Sequence, residues 1–121
     1  MNKLKKQQAF VRGHAAETLC VWLLRIKGYR ICARRFRTSL GEIDIIAKRQ
    51  NVLIFVEVKA RKDLGEGMIA ITPHQQKRIS KAALFYLSRQ TNMNHYVCRF
   101  DVMVARPWRW PYHMQNAWQL R

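Results

Sequence analysis

An α/β domain with the element order helix, three strands, helix, strand is expected from this chain, and three observations carry that expectation. An apolar period of three and four residues runs from about Gln8 to Lys27. Two segments rich in β-branched residues, Glu42 to Lys48 and Val52 to Ala60, flank a turn-like pair at Gln50-Asn51. A helix start at Thr72-Pro73 then precedes an alternating segment from Tyr96 to Ala105. The arrangement implies a mixed sheet flanked by helices. At 121 residues the chain fits a single domain, 1–121, with one core.

The first helix places Val11, Ala15, Leu19, Trp22, Leu23 and Ile26 on one stripe, carries Glu17, and ends at the natural stop Gly28. Residues 1–7, rich in lysine, read as a disordered basic arm. Arg30 to Arg37 mixes Ile31, Ala33 and Phe36 with arginines, which suits an edge strand. In the second helix Thr72 is the N-cap, Pro73 takes the first helical position, Gln75 completes a capping box, and Ile79, Ala82, Ala83 and Tyr86 form the stripe. The last strand sets Val97, Arg99, Asp101 and Met103 on one face and Cys98, Phe100, Val102 and Val104 on the other. The aromatic tail, Pro107 to Arg121, shows no clear period.

Charge sets the class of partner. With 23 Lys plus Arg against 7 Asp plus Glu, the formal charge is +16, which points to a polyanion and most directly to nucleic acid. No apolar run spans a bilayer and the N-terminus lacks a signal-type apolar core, so a cytoplasmic protein without membrane partners is expected. Cys20, Cys32 and Cys98 form no C-x-x-C pair, and the 4 histidines have no zinc-ligand spacing, so neither a disulfide framework nor a zinc site is indicated.

Against this basic background the acids are concentrated. If the central strands pair around Gln50-Asn51, Asp44 faces Glu57 and Glu42 faces Lys59, all on one face. Ile43, Ile45, Ala47, Ile54, Val56 and Val58 then make the opposite face apolar, ready for a helix to cover. Like charges directly across a strand pair repel, so Asp44 and Glu57 need a cation or a raised carboxyl pKa. Oxygen donors select Mg²⁺ or Mn²⁺, and magnesium commonly takes one or two carboxylates and leaves its other positions to water and phosphate. Lys59 stands where an ammonium would orient an attacking water or offset charge on a phosphate. Glu-x-Lys by itself arises by chance about once per 300 positions, so its weight comes from the strand context. The competing reading is a cross-strand salt-bridge ladder.

These residues carry a resemblance. Gly13 and Glu17 in the first helix, Gly41-Glu42-Ile43-Asp44-Ile45-Ile46-Ala47, Phe55-Val56-Glu57-Val58-Lys59-Ala60-Arg61, Lys77, and Arg99-Phe100-Asp101-Val102 resemble the bacterial YraN family of endonuclease-like proteins. That family is similar to the Holliday junction resolvase branch of the PD-(D/E)xK nucleases, which have a restriction-endonuclease-like fold with an α-β-β-β-α-β core. The resemblance implies a metal-dependent, structure-selective DNA endonuclease. Asp44 would be the motif aspartate, Glu57 and Lys59 the (D/E)xK half, and Glu17 the helix acid of resolvase-like members. Asp44, Glu57 and the Val58 carbonyl would hold Mg²⁺ or Mn²⁺, with Glu17 or Glu42 acting through water or at a second metal. Water would attack the phosphorus in line. Ile43 stands in place of the motif proline, and Gln76 with Ser80 does not reproduce the Q-x-x-x-Y signature of end-processing exonucleases, which favours an endonuclease. Branched DNA needs two cuts, so a homodimer is a reasonable assembly.

Arg34, Arg35 and Arg37, then Arg61 and Lys62, then Lys77, Arg78 and Lys81 form basic groups near the ends of this site and are candidates for phosphate contact. Asp63-Leu64-Gly65-Glu66-Gly67 reads either as a loop that closes over substrate or as a plain connection. Asp101 reads more readily as a structural partner of Arg99 or Arg35 than as a metal ligand. Trp108, Trp110 and Trp118 would stack on bases or, more in keeping with tryptophan generally, cover the sheet or a dimer surface. Two rival functions remain open at this level: a non-catalytic DNA- or RNA-binding module that keeps the fold, and a basic protein docking onto an RNA assembly.

Overall fold

The computed structural model describes residues 3–91 and 96–119, with side chains from residue 13 onward. Helix α1 spans Lys3–Ile26, followed by strands β1 (Arg30–Arg37), β2 (Glu42–Arg49) and β3 (Val52–Ala60). Helices α2 (Leu64–Ile69) and α3 (Pro73–Ser88) lead to β4 (Val97–Ala105) and β5 (Tyr112–Trp118). The 5 strands form a mixed sheet in sequence order, antiparallel except for β3 beside β4. This is an α/β fold with an open mixed sheet flanked by helices, compatible with the restriction-endonuclease-like fold. No helix among the described residues is long and apolar enough to cross a membrane.

Helix α1 starts earlier than its period suggested, so residues 3–7 are helical where a disordered arm was expected, while residues 1–2 lie outside the described residues. It ends as expected. Gly28 takes φ 93°, its N–H donates to the Arg25 carbonyl and the Tyr29 N–H to that of Leu24, which closes a Schellman motif. The buried stripe is rotated from the expected one: Ala16, Glu17, Cys20, Val21 and Leu24 face the sheet, while Ala15, Trp22 and Ile26 face solvent. The Val11 side chain lies outside the described residues. The larger apolar residues suggested the wrong stripe because the inward one contains an acid, Glu17.

Both faces of the sheet are covered. Cys20, Val21 and Leu24 of α1 pack on Ile45, Ala47, Ile54, Val56 and Met103, the face expected to be apolar. On the other face Ile79, Ala82 and Ala83 of α3 pack on Ile43, Ile46, Leu53, Phe55 and Phe100. Ile43 therefore leaves the face assigned to it by strict alternation, because the start of β2 departs from regular pairing with β3. Residues 64–69 form a short helix instead of an open loop: the Asp63 carboxylate caps the Glu66 N–H at 2.9 Å, and Leu64 and Met68 pack on Val102 and Val104. The tail supplies β5, whose Trp118 stacks on Phe100 at 5.2 Å.

One polar knot ties the α1–β1 connection, β4 and β5 together. Buried Asp101 accepts from Arg99 Nε and a second Arg99 nitrogen at 2.8 and 2.9 Å, from the Asn116 N–H at 3.0 Å, and pairs with His113 Nε2 at 2.7 Å. Arg99 also donates to the Tyr29 hydroxyl at 2.9 Å, and Lys27 Nζ meets His113 Nδ1 at 2.9 Å. Burial alone would raise the Asp101 carboxyl, but these partners outweigh it and hold it below its ordinary value.

Helix α3 is seated by a glycine. A Cβ on Gly41 would lie 2.3 Å from the Arg78 carbonyl oxygen, so only glycine lets the helix approach the start of β2. Gly41→Ala is expected to cost about 1–3 kcal/mol by forcing these backbones apart. Gly13→Ala, on an exposed stretch of α1 with nothing within 4 Å of the new methyl, is expected to gain up to about 1 kcal/mol. Urea unfolding of both variants checks the pair; equal effects would show that the contact with Arg78 does not matter.

Candidate active site

The site forms where the central hairpin opens. β2 and β3 stay in register from Arg49↔Val52 to Ile45↔Val56, and there the ladder stops. Asp44 Oδ2 accepts the Val58 N–H at 2.8 Å, so a side chain replaces the next backbone acceptor. Asp44 and Glu57 become neighbours as expected, close enough for the Asp44 charge to act on the Glu57 carboxyl. Glu42 does not meet Lys59. It lies opposite Arg37 of β1, pairs with Arg37 Nε at 3.3 Å, and is more than half exposed, because β1 stays paired to β2 after β3 has diverged.

Glu57 and Lys59 are both nearly buried, with side chains 12% and 11% exposed, and their charged ends are 3.3 Å apart. With its amide oriented so that the nitrogen donates to the Ala70 carbonyl at 2.8 Å, Gln75 accepts from Lys59 Nζ at 3.2 Å through its oxygen. The ammonium is thus held between a carboxylate and an amide. Thr72 caps the Gln75 N–H at 3.1 Å, fixing this residue in the first turn of α3. The sequence assigned Gln75 to a capping box, but its side chain turns toward Ala70 and Lys59. Only the long-range contact of α3 with β3 reveals that role.

Glu17 lies buried on α1, its oxygens taken by Arg34 Nε at 3.1 Å and Arg35 Nε at 3.2 Å. Arg35 also contacts His14. Burial pushes Glu57 up to about 8, the neighbouring Asp44 charge adds to the rise, and Lys59 opposes it. Burial likewise raises Asp44, against the Val58 hydrogen bond and with help from Glu17. Deep burial, with Asp44 and then Glu17 adding to it, pushes the Cys20 thiol up to about 12, so it stays protonated and unreactive.

Asp44, Glu57 and Lys59 therefore meet at one end of the sheet, with Glu17 close by and Glu42 at the margin. Among the described residues no group of three His, Cys, Asp or Glu is placed to hold a metal ion. Two carboxylates that resist ionising together still match the usual protein share of a magnesium site, where water and phosphate oxygens complete the shell. The donor set fits a hard divalent cation.

The expected basic groups lie on β1, on α3 and just past β3, elements that border the acids. Arg34 and Arg35 are bound to Glu17 and Arg37 to Glu42, Arg61 and Lys62 follow the end of β3, and Lys77, Arg78 and Lys81 are exposed on α3. Asp101 stays apart in its own knot, as its structural reading anticipated. A cavity of about 670 Å³ opens at the other end of the sheet, among Arg30, Lys48, Asn51, Tyr86 and Tyr96. The acids are thus not part of that pocket.

Residues 16–105 match the family described as "Uncharacterised protein family UPF0102". The chain belongs to the UPF0102 family. It is 50% identical over 112 residues to a UPF0102 protein of Mesorhizobium japonicum, covering 93% of this chain and 90% of that one. A UPF0102 protein of Chelativorans sp. is 46% identical over 98% of this chain and 96% of its own, and one of Brucella canis 48% identical over 91% and 87%. The UPF0102 match begins just before Glu17 and ends with β4, so it contains every acid of the site.

The raised carboxyls predict a signature in stability. Glu57 titrates near 4.5 when unfolded and at about 8 when folded, so between these values the native protein holds a proton that the unfolded chain has lost. Stability from this group is complete below the lower value and falls as pH rises through the window. The melting temperature of wild type should drop by several degrees more from about pH 5 to about pH 8 than that of Glu57→Gln, and saturating Mg²⁺ should flatten the difference. Equal slopes in the two proteins would contradict the burial of a strained carboxyl.

Proposed function

We propose that this protein is a metal-dependent, structure-selective DNA endonuclease of the PD-(D/E)xK type, cutting phosphodiester bonds in branched or otherwise non-linear DNA. One observation carries the reading: in a chain of charge +16, Asp44 and Glu57 sit side by side, mostly withdrawn from solvent, with Lys59 against Glu57. A salt-bridge ladder explains this poorly, since it gives no reason to bury two like charges beside each other. Asp44, Glu57 and the Val58 carbonyl would hold Mg²⁺ or Mn²⁺. When bound, that ion would polarise the phosphate and stabilise the leaving oxygen.

The chain's own residues account for the rest. The Asp44 contact to the Val58 N–H fixes the carboxylate and orients the adjoining peptide. Lys59, bracketed by Glu57 and Gln75, holds its ammonium where it can orient a water and offset charge on the phosphate. Glu17 aligns Arg34 and Arg35, and Glu42 aligns Arg37, so these acids act through arginines directed at the backbone. Arg61, Lys62, Lys77, Arg78 and Lys81 extend the phosphate-binding surface, which reads DNA shape more than sequence. Two cuts in a branched substrate would be made by a homodimer.

The test is cleavage of linear, nicked, flapped and four-way DNA by purified protein, with and without Mg²⁺ or Mn²⁺. Divalent-dependent cutting of the non-linear substrates is expected. Lys59→Met should slow single-turnover cleavage by about 10² or more while leaving DNA affinity nearly unchanged. Tight binding with no cleavage under any divalent condition would instead favour a non-catalytic nucleic-acid-binding protein.

A further inference from the structure

β3 and β4 run parallel, with Lys59 beside Val104 and Ala60 beside Ala105, so both strands end where the acids are. The β4–β5 turn therefore projects from the active end of the sheet. It carries Trp108, Arg109 and Trp110, all exposed, with Trp108 fully so and Trp110 at 57%. Trp108 lies four residues past Val104, so its backbone is within about 18 Å of Lys59, or about five base steps of duplex. The sequence left open whether the tail tryptophans cover the sheet. Trp118 does, stacked on Phe100, whereas Trp108 stands fully clear of the protein and Trp110 is more than half exposed.

The turn is also strained. Trp108 adopts φ 62°, a left-handed conformation suited to glycine or asparagine and costly for a bulky aromatic residue. Nothing in the packing repays that strain, because the ring has no neighbours to stabilise it. A costly, fully exposed ring beside a cation, on a protein of charge +16, suits the flat face of a nucleic-acid base. Bases within a duplex are already stacked, so the ring would meet an unpaired one.

We infer that the β4–β5 turn is a stacking element on which Trp108 and Trp110 bind unpaired bases of a DNA strand, with Arg109 between them on the phosphate backbone. This deepens the nuclease reading and rests on it for the nature of the partner: the turn would select DNA with an unpaired segment within a few nucleotides of the cut. Stacking tolerates any sequence, so the selection is for structure.

Binding in EDTA tests this without cleavage. The probes are a labelled duplex and the same duplex carrying a single-stranded flap. Wild type should prefer the flapped DNA; Trp108→Ala and Trp110→Ala should each lose about fivefold or more of affinity for it and change duplex affinity less than about twofold. Trp108→Phe should keep most of the preference. Trp108→Gly relieves the left-handed strain, so it should melt no lower than wild type and still lose flap affinity, which separates binding from folding. No flap preference in wild type, equal losses on both probes, or dissociation of a dimer by the tryptophan variants with flap preference unchanged would overturn the proposal. Failure to cleave DNA with metal would count against the nuclease reading alone and leave this binding result intact.

Discussion

The structure turns on two carboxyl groups set side by side and mostly withdrawn from solvent. Asp44 and Glu57 occupy the opening where β2 and β3 part, and burial pushes both carboxyls upward. Their surroundings limit that cost. Asp44 takes a backbone N–H from Val58, Lys59 lies against Glu57, and Gln75 restrains Lys59 from above. A pair of carboxylates at this depth is tolerable only with protons or a cation, and a divalent ion held by both would remove the repulsion directly. The chemistry proposed for the protein is the use of that unmet demand.

The fold delivers these groups from separate elements. Helix α1 brings Glu17 beneath the arginines of β1, the central hairpin brings Asp44, Glu57 and Lys59, and α3 brings Gln75 because Gly41 lets it approach so closely. The far side of the sheet is held by other means. The Asp101 knot joins the α1–β1 connection, β4 and β5 through Arg99, His113 and Tyr29, anchoring the strand beside β3 without contributing to the site. Two buried acid systems thus have opposite tendencies: Asp101 is stabilised as an anion, while Asp44 and Glu57 resist becoming anions together.

Much of this was legible in the residues. β1 and β3 appear with the expected bounds, β1 because apolar residues alternate with arginines between Gly28 and the Thr38 turn and β3 because β-branched residues dominate it, and the Gln50-Asn51 turn fixes the register that places Asp44 near Glu57. The inward stripe of α1 was not legible, since amphipathic periodicity favours the larger side chains, and here a buried Glu17 replaces one of them. Strict alternation failed at Ile43 and Glu42 because the ladder ends early, and no local propensity signals where two strands part. Strand β5 escaped notice because its pattern is weak and its stability comes from pairing with β4. Gln75 was hidden for a related reason: its cap position was readable, but its contact with Lys59 depends on tertiary packing.

The central claim is that the strained carboxyls exist to receive a divalent cation. Its most direct test is calorimetric titration of Mg²⁺ into the protein at about pH 7 in buffers of different ionisation enthalpy, which counts protons displaced by the metal. With Glu57 at about 8 in the free protein, binding should release about one proton per ion, and Glu57→Gln should abolish both the binding and the release. Absence of binding, or binding that releases no proton and survives Glu57→Gln, would contradict the account.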